Sequence, residues 1–140
     1  MANRQKIGNN FVPCPVKPAD ELFRLGIFVF NITRMLEFIE NNLDKFVLEN
    51  ISVNNLHSSF SKINEDHVDV VDISRPIILI EITPGQFTLI DGNHRMEKAR
   101  RLGIKNLKGY RLKISDHITF LTSIESYEKF VEYLNENGDD

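Results

Sequence analysis

Apolar residues recur along this chain at two spacings, and those spacings predict strands and helices in alternation. Ile27-Phe28-Val29-Phe30 is apolar throughout and predicts a short strand. Ile32, Met35, Leu36, Ile39 and Leu43 then keep helical spacing, so a helix is expected from a cap at Asn31 or Thr33 to about Asp44. Arg75 to Ile82 reads as a buried strand, Pro84-Gly85 as a turn, and Phe87 to Ile90 as the returning strand of a hairpin. A helix over 94–102, stopped by Gly103, and a strand from Leu107 to Leu112 follow. The stretch from Pro18 to Gly26, with proline and acids at its start and glycine at its end, predicts a short helix. Residues 45–63 are rich in Asn and Ser and predict loop with a helical turn or two. Asn64-Glu65-Asp66-His67 predicts a helix start leading to Ile73. Ser115 is expected to cap a helix from Asp116 to about Thr122. Ser123 or Ser126 then opens a last helix with the apolar stripe Tyr127, Phe130, Val131 and Leu134, and residues 135–140 fray.

A chain of 140 residues, 41% hydrophobic and 26% charged, is long enough for one domain with its own core. No apolar run approaches the roughly 20 residues of a membrane span, and the polar start lacks an apolar region of the signal-peptide kind. The single cysteine, Cys14, has no internal partner and stands between two prolines, where a buried or idle thiol is expected. No Cys/His spacing suggests zinc, and no metal ligands are assigned. These features together predict a cytoplasmic protein. The net charge of −3 is uneven: residues 93–113 hold eight basic residues and one acid, which leaves −10 elsewhere. A basic face on an acidic body suits an anionic ligand or DNA approached from one side; a solvated helix face is the plainer reading.

Chemistry concentrates in Asp91-Gly92-Asn93-His94-Arg95, where the hairpin strand turns into a helix. Asp91 or Asn93 can cap that helix with a side-chain oxygen. Cations in a first helical turn oppose the helix dipole, so Arg95 there points either to an anion site or to an ion pair with a carboxylate such as Asp91. His94 can donate to a phosphate or shuttle a proton. Asp91 can hold Mg²⁺, accept a proton or only cap. Asn31 and Arg34 follow the first strand and are candidates to add donors, against helix capping and a surface charge as the alternative. Glu81 is expected to face solvent. His117 is expected on the surface, and Asn54, Asn55 and His57 are candidates for a polar lid.

The stretch Pro76-Ile77-Ile78, then Asp91-Gly92-Asn93-His94-Arg95, Ala99, Gly103 and Tyr110-Arg111-Leu112 resembles the ParB/sulfiredoxin superfamily over residues 64–113. It is most similar to ParB-like proteins with an Asp-Gly-(Asn/His)-His-Arg motif. The resemblance implies an α+β core over 18–114 with a small mixed sheet and flanking helices; residues 1–17, with two prolines and little periodicity, read as an extended arm, and 115–140 as a C-terminal helical extension of the same single domain that lies outside the family pattern. The resemblance also implies a phosphate cradle of Gly92, Asn93, His94 and Arg95. The expected ligand is a nucleotide such as ATP or CTP with Mg²⁺, and His94 and Asp91 would be the catalytic groups if phosphoryl transfer or nucleotide hydrolysis occurs. The cysteine that precedes the His-Arg pair in sulfiredoxins is Asn93 here, and the second arginine of the partition proteins is Met96. Both departures point away from those activities and leave the cradle. A DNA-binding or nuclease-like protein and a non-catalytic interaction protein are the alternatives.

Overall fold

A computed structural model describes residues 10–56 and 63–137. Its centre is a strand buried on both faces. Ile77–Thr83 forms β4, whose apolar run points Ile78, Ile80 and Ile82 to one side and Ile77 and Leu79 to the other. The hairpin continues through a turn at Gly85 into β5, Gln86–Asp91, antiparallel to β4. Helix α3, Asn93–Arg101, carries the chain across the sheet to β6, Asn106–Leu112, which lies parallel to β4 on its other side.

Strand β3, Glu49–Ser52, completes a mixed sheet of order β3-β6-β4-β5. One face packs on Met96 and Ala99 of α3. The other packs on α1, Ile32–Glu40, and on α5, Ile124–Asn137, whose Tyr127, Phe130, Val131 and Leu134 are all buried. The C-terminal stripe thus belongs to the protein's own core. Short helices α2, Glu65–Val70, and α4, Ile114–His117, complete this single α+β domain. No helix among the described residues is long and apolar enough to cross a membrane.

Several expectations change. The stretch read as a helix from Pro18 to Gly26 instead forms β1, Leu22–Leu25, a hairpin with β2, Phe28–Asn31. Gly26 takes the left-handed conformation (φ 62°) that a tight hairpin turn needs, and Phe23 is buried beside Phe30 in the core. The same glycine reads equally well as a helix stop, so the end signal was ambiguous. Residues 45–56 hold β3, which pairs antiparallel with β6; its single buried residue, Ile51, gave no alternation to read. Helix α1 ends at Glu40, leaving Leu43 exposed, and α2 ends at Val70. Ser115 is inside α4, and Asp116 caps it by accepting the Lys113 backbone N–H. Asn31 does cap α1, accepting the Arg34 N–H at 3.1 Å.

His117 is fully buried rather than superficial. It lies edge-on to Phe30 and is packed against Phe130; its Nε2–H donates to the Glu81 carbonyl, while Nδ1 is buried without a partner. Glu81 is half-buried at the sheet's margin, its carboxylate accepting the N–H groups of Gly85 and Ile114. Burial pushes the His117 imidazole from its ordinary 6.5 down to about 4, against smaller opposing effects of Glu81 and Asp116.

Two predictions follow from this packing. The unfolded chain binds the His117 proton below 6.5 and the folded one only near 4, so stability contributed by neutral His117 is present above pH 6.5. It is lost as pH falls from 6.5 to 4, by about 3 kcal/mol in all. Urea melts of wild type and His117→Leu over that range are expected to show a smaller pH slope in the variant. Gly109 stands beside Ile77 across the β4–β6 pairing, and a Cβ there would lie 2.7 Å from the Ile77 side chain and 2.9 Å from its carbonyl oxygen. Gly109→Ala is expected to cost about 1–3 kcal/mol in the same melts.

Candidate functional site

The turn from β5 into α3 is shaped by Gly92. Its φ of 115° is one that L side chains rarely adopt, and a Cβ there would come within 2.4 Å of Ile77 Cγ2. Gly92 therefore occupies the cap position, where Asp91 or Asn93 had been expected, and its carbonyl accepts the first helical bond from the Met96 N–H. Asn93 becomes the first helical residue. Asp91, one residue before the cap, turns its carboxylate to Arg95 instead, at 3.2 Å.

Arg95 is 6% exposed. One guanidinium nitrogen meets Asp91; the other donates to the carbonyls of Arg75, at 3.0 Å, and of Pro76. Those carbonyls lie just before β4, so Arg95 ties both open ends of the hairpin to α3. Of the two roles open to Arg95 in the sequence, the guanidinium is used for the ion pair.

His94 is half-buried. Its Nε2 accepts the Asn64 N–H at 3.0 Å, and its ring meets that of His67 edge-to-face, centroids 4.5 Å apart. Burial first, and His67 second, lower its pKa. A neutral ring accepting at Nε2 carries its proton on Nδ1, which makes Nδ1–H the donor available to a ligand.

Beside the turn lies a cavity of about 150 Å³ between α1 and the sheet, lined by apolar Leu36, Ile39, Leu43, Pro76 and Ile78 and by Glu40, Arg75, Asp91 and Tyr110. Arg75 is exposed, and its guanidinium forms no ion pair among the described residues. Glu21 adds a second carboxylate near Asp91. Desolvation and then the Asp91 charge raise the Glu21 carboxyl above its ordinary value, and Arg95 and Arg75 oppose them. Neither Glu21 nor Arg75 was singled out in the sequence, because no motif contains them and both enter through tertiary placement. Among the described residues no group of three or more His, Cys, Asp or Glu side chains is placed to hold a metal ion. Asp91 and Glu21 are the oxygen donors that fit Mg²⁺, with the rest of its shell left to water and ligand oxygens.

Asn31 and Arg34 are engaged elsewhere. Asn31 is fully buried and donates to the Pro15 carbonyl and the Asp20 carboxylate, both at 2.9 Å; Arg34 pairs with Asp20 and Glu37. Their polar atoms fasten the N-terminal arm, where Cys14 is buried, and Arg34 faces away from the side of α1 that lines the cavity. His57 lies outside the described residues. Asn55 instead borders a separate hollow near Phe87.

The four arginines of the basic stretch are all ion-paired, Arg95 with Asp91. Arg101 pairs with Glu65 and Glu97, Arg100 with Glu97 and Arg111 with Glu49, while Lys98 donates to the carbonyls of Asp69 and Val71. Lys105, Lys108 and Lys113 remain exposed. Asp91, Glu65 and Glu49 lie outside the stretch, so their pairing lowers its excess from +7 to +4.

The fold and this turn define a small α+β domain with a glycine-shaped strand-to-helix junction. No family model, no curated protein and no solved structure matches the chain.

Removing Arg95 leaves a mostly buried carboxylate and two strand-entry carbonyls without their donor. Arg95→Ala is expected to lower stability by about 3–5 kcal/mol, measured by urea denaturation. Arg95→Lys should recover little, since an ammonium cannot fork between Asp91 and the two carbonyls.

Proposed function

We propose that the protein binds a phosphate-bearing ligand at the start of α3, with the Asp91–Arg95 turn as the cradle that the ParB/sulfiredoxin resemblance implies. The observation that carries this reading is the pairing of a helix start that has no acidic residue in its first turn with the unpaired Arg75 guanidinium on the adjoining cavity. The helix start offers partial positive charge and outward N–H groups. His94 adds its Nδ1–H. Arg75 supplies the mobile cation, and Arg95, held inward, positions the turn. Asn93 contributes its place at the first helical N–H. Asn31 and Arg34 have no part in this site.

Size narrows the ligand. Pockets that enclose a drug-sized molecule run from about 300 to 1,000 Å³, whereas this cavity is about 150 Å³. It holds a phosphate and a few further atoms, so ATP or CTP would be gripped by the phosphates with the nucleoside outside. A phosphate here also faces Asp91 and Glu40, whose charges repel it; Mg²⁺ bridging carboxylate and phosphate oxygens removes that repulsion. The reading is therefore Mg²⁺-dependent binding, with Asp91 at the metal and a cytoplasmic setting.

A thermal-shift panel of inorganic phosphate and nucleoside mono-, di- and triphosphates, with and without Mg²⁺, tests it. A ligand at 100 times its Kd adds about 2.7 kcal/mol, worth several degrees in Tm for a domain of this size. The expected result is a Mg²⁺-enhanced shift in wild type that shrinks in Arg75→Ala, whose unliganded Tm stays unchanged. Equal shifts in both proteins, or none in wild type, would overturn the reading.

A further inference from the structure

Helix α2 is six residues long, with one buried side chain, Val68, and it is fastened to α3 almost wholly by polar contacts. Arg101 holds Glu65 through two bonds of 2.7 and 2.9 Å, and Lys98 donates to the carbonyls of Asp69 and Val71 at the other end. The third fastening differs in kind: the Asn64 N–H, at the cap residue of α2, donates to Nε2 of His94. A neutral imidazole can accept there. An imidazolium cannot, because both its nitrogens then carry protons. The ring of His67 meets that of His94 edge-to-face, so a positive charge on His94 would be set directly against it.

We propose that His94 is a pH-sensitive latch: neutral, it holds the start of α2 on α3, and protonated, it releases it. Arg101 and Lys98 act as donors, so the His94–Asn64 bond alone of the three rests on a nitrogen that must stay unprotonated to accept. Most other charged groups where these elements meet are engaged in ion pairs. Glu65 is held by Arg101, Glu97 by Arg100 and Arg101, and Arg95 by Asp91; Asp66 and Asp69 are the remaining carboxylates of α2. The turn of Val53–Asn55, also packed on α3, brings no charged side chain.

The direction follows from linkage. Burial and His67 set the docked pKa of His94 below its ordinary 6.5. Docking is therefore strongest above pH 6.5, weakens as pH falls through that value, and levels off below the docked pKa. His117 weakens the whole fold over the same window, so the latch must be read locally and against a variant that keeps His117.

Amide hydrogen exchange of Asn64 and Val68, corrected for intrinsic rates and compared at pH 7.5 and 5.5, makes that reading. The Val68 N–H closes the first turn of α2 on the Asn64 carbonyl, so it reports the helix while Asn64 reports the latch. In wild type, the protection of both is expected to fall severalfold at pH 5.5, beyond any fall at the β4 amides. His94→Gln keeps an acceptor but cannot titrate, and its α2 protection is expected to follow β4 at both pH values. His67→Gln removes the facing ring and should move the loss to higher pH. Equal pH dependence of α2 protection in wild type and His94→Gln would overturn the proposal, as would wild-type protection that does not change relative to β4.

Discussion

The structure depends on a buried guanidinium. Arg95 lies almost out of solvent, and its charge is balanced by Asp91 at the end of one hairpin strand and by carbonyls at the entry of the other. A buried cation is costly unless it is paired and hydrogen-bonded, so the position of β4, the end of β5 and the start of α3 are set together. Gly92 and Gly109 make the arrangement sterically possible, because both press on Ile77 where a Cβ would collide. Packing at Ile77 and polar satisfaction at Arg95 are two sides of one joint.

That joint changes the meaning of the motif. A His-Arg pair in a first helical turn suggests two ligand donors. Here the arginine faces inward and the histidine is half engaged with α2, so the groups left for a ligand are the backbone of the turn, Nδ1 of His94 and the neighbouring Arg75. The arginines of the positive stretch are likewise taken up, in pairs with Glu49, Glu65 and Glu97, while its lysines stay without a carboxylate among the described residues.

Much of the fold was legible because its signals are local. The β4–β5 hairpin announces itself by two apolar runs around Pro84-Gly85, α3 by its closing glycine, and α5 by a stripe that packs where its spacing says. What was not legible rests on distant partners. β3 has a single buried residue and exists through pairing with β6. The segment before Gly26 carries a helix's end signals and becomes a strand because β2 lies ready to pair. His117 looks like a surface residue from its polar neighbours, and only the assembled core shows Phe30 and Phe130 around it. In the candidate site, Asp91 and His94 could be named from the motif, whereas Arg75 and Glu21 reach it only through the folded chain.

The most direct test of the central claim, that Arg95 shapes the turn from within and leaves the helix start to an anion, is an amide NMR titration with inorganic phosphate and Mg²⁺. Saturable shifts are expected at the amides of Asn93, His94 and Arg95 and at the Arg75 guanidinium. Shifts confined to the exposed face of Lys105, Lys108 and Lys113, or no saturable change at the turn, would contradict it.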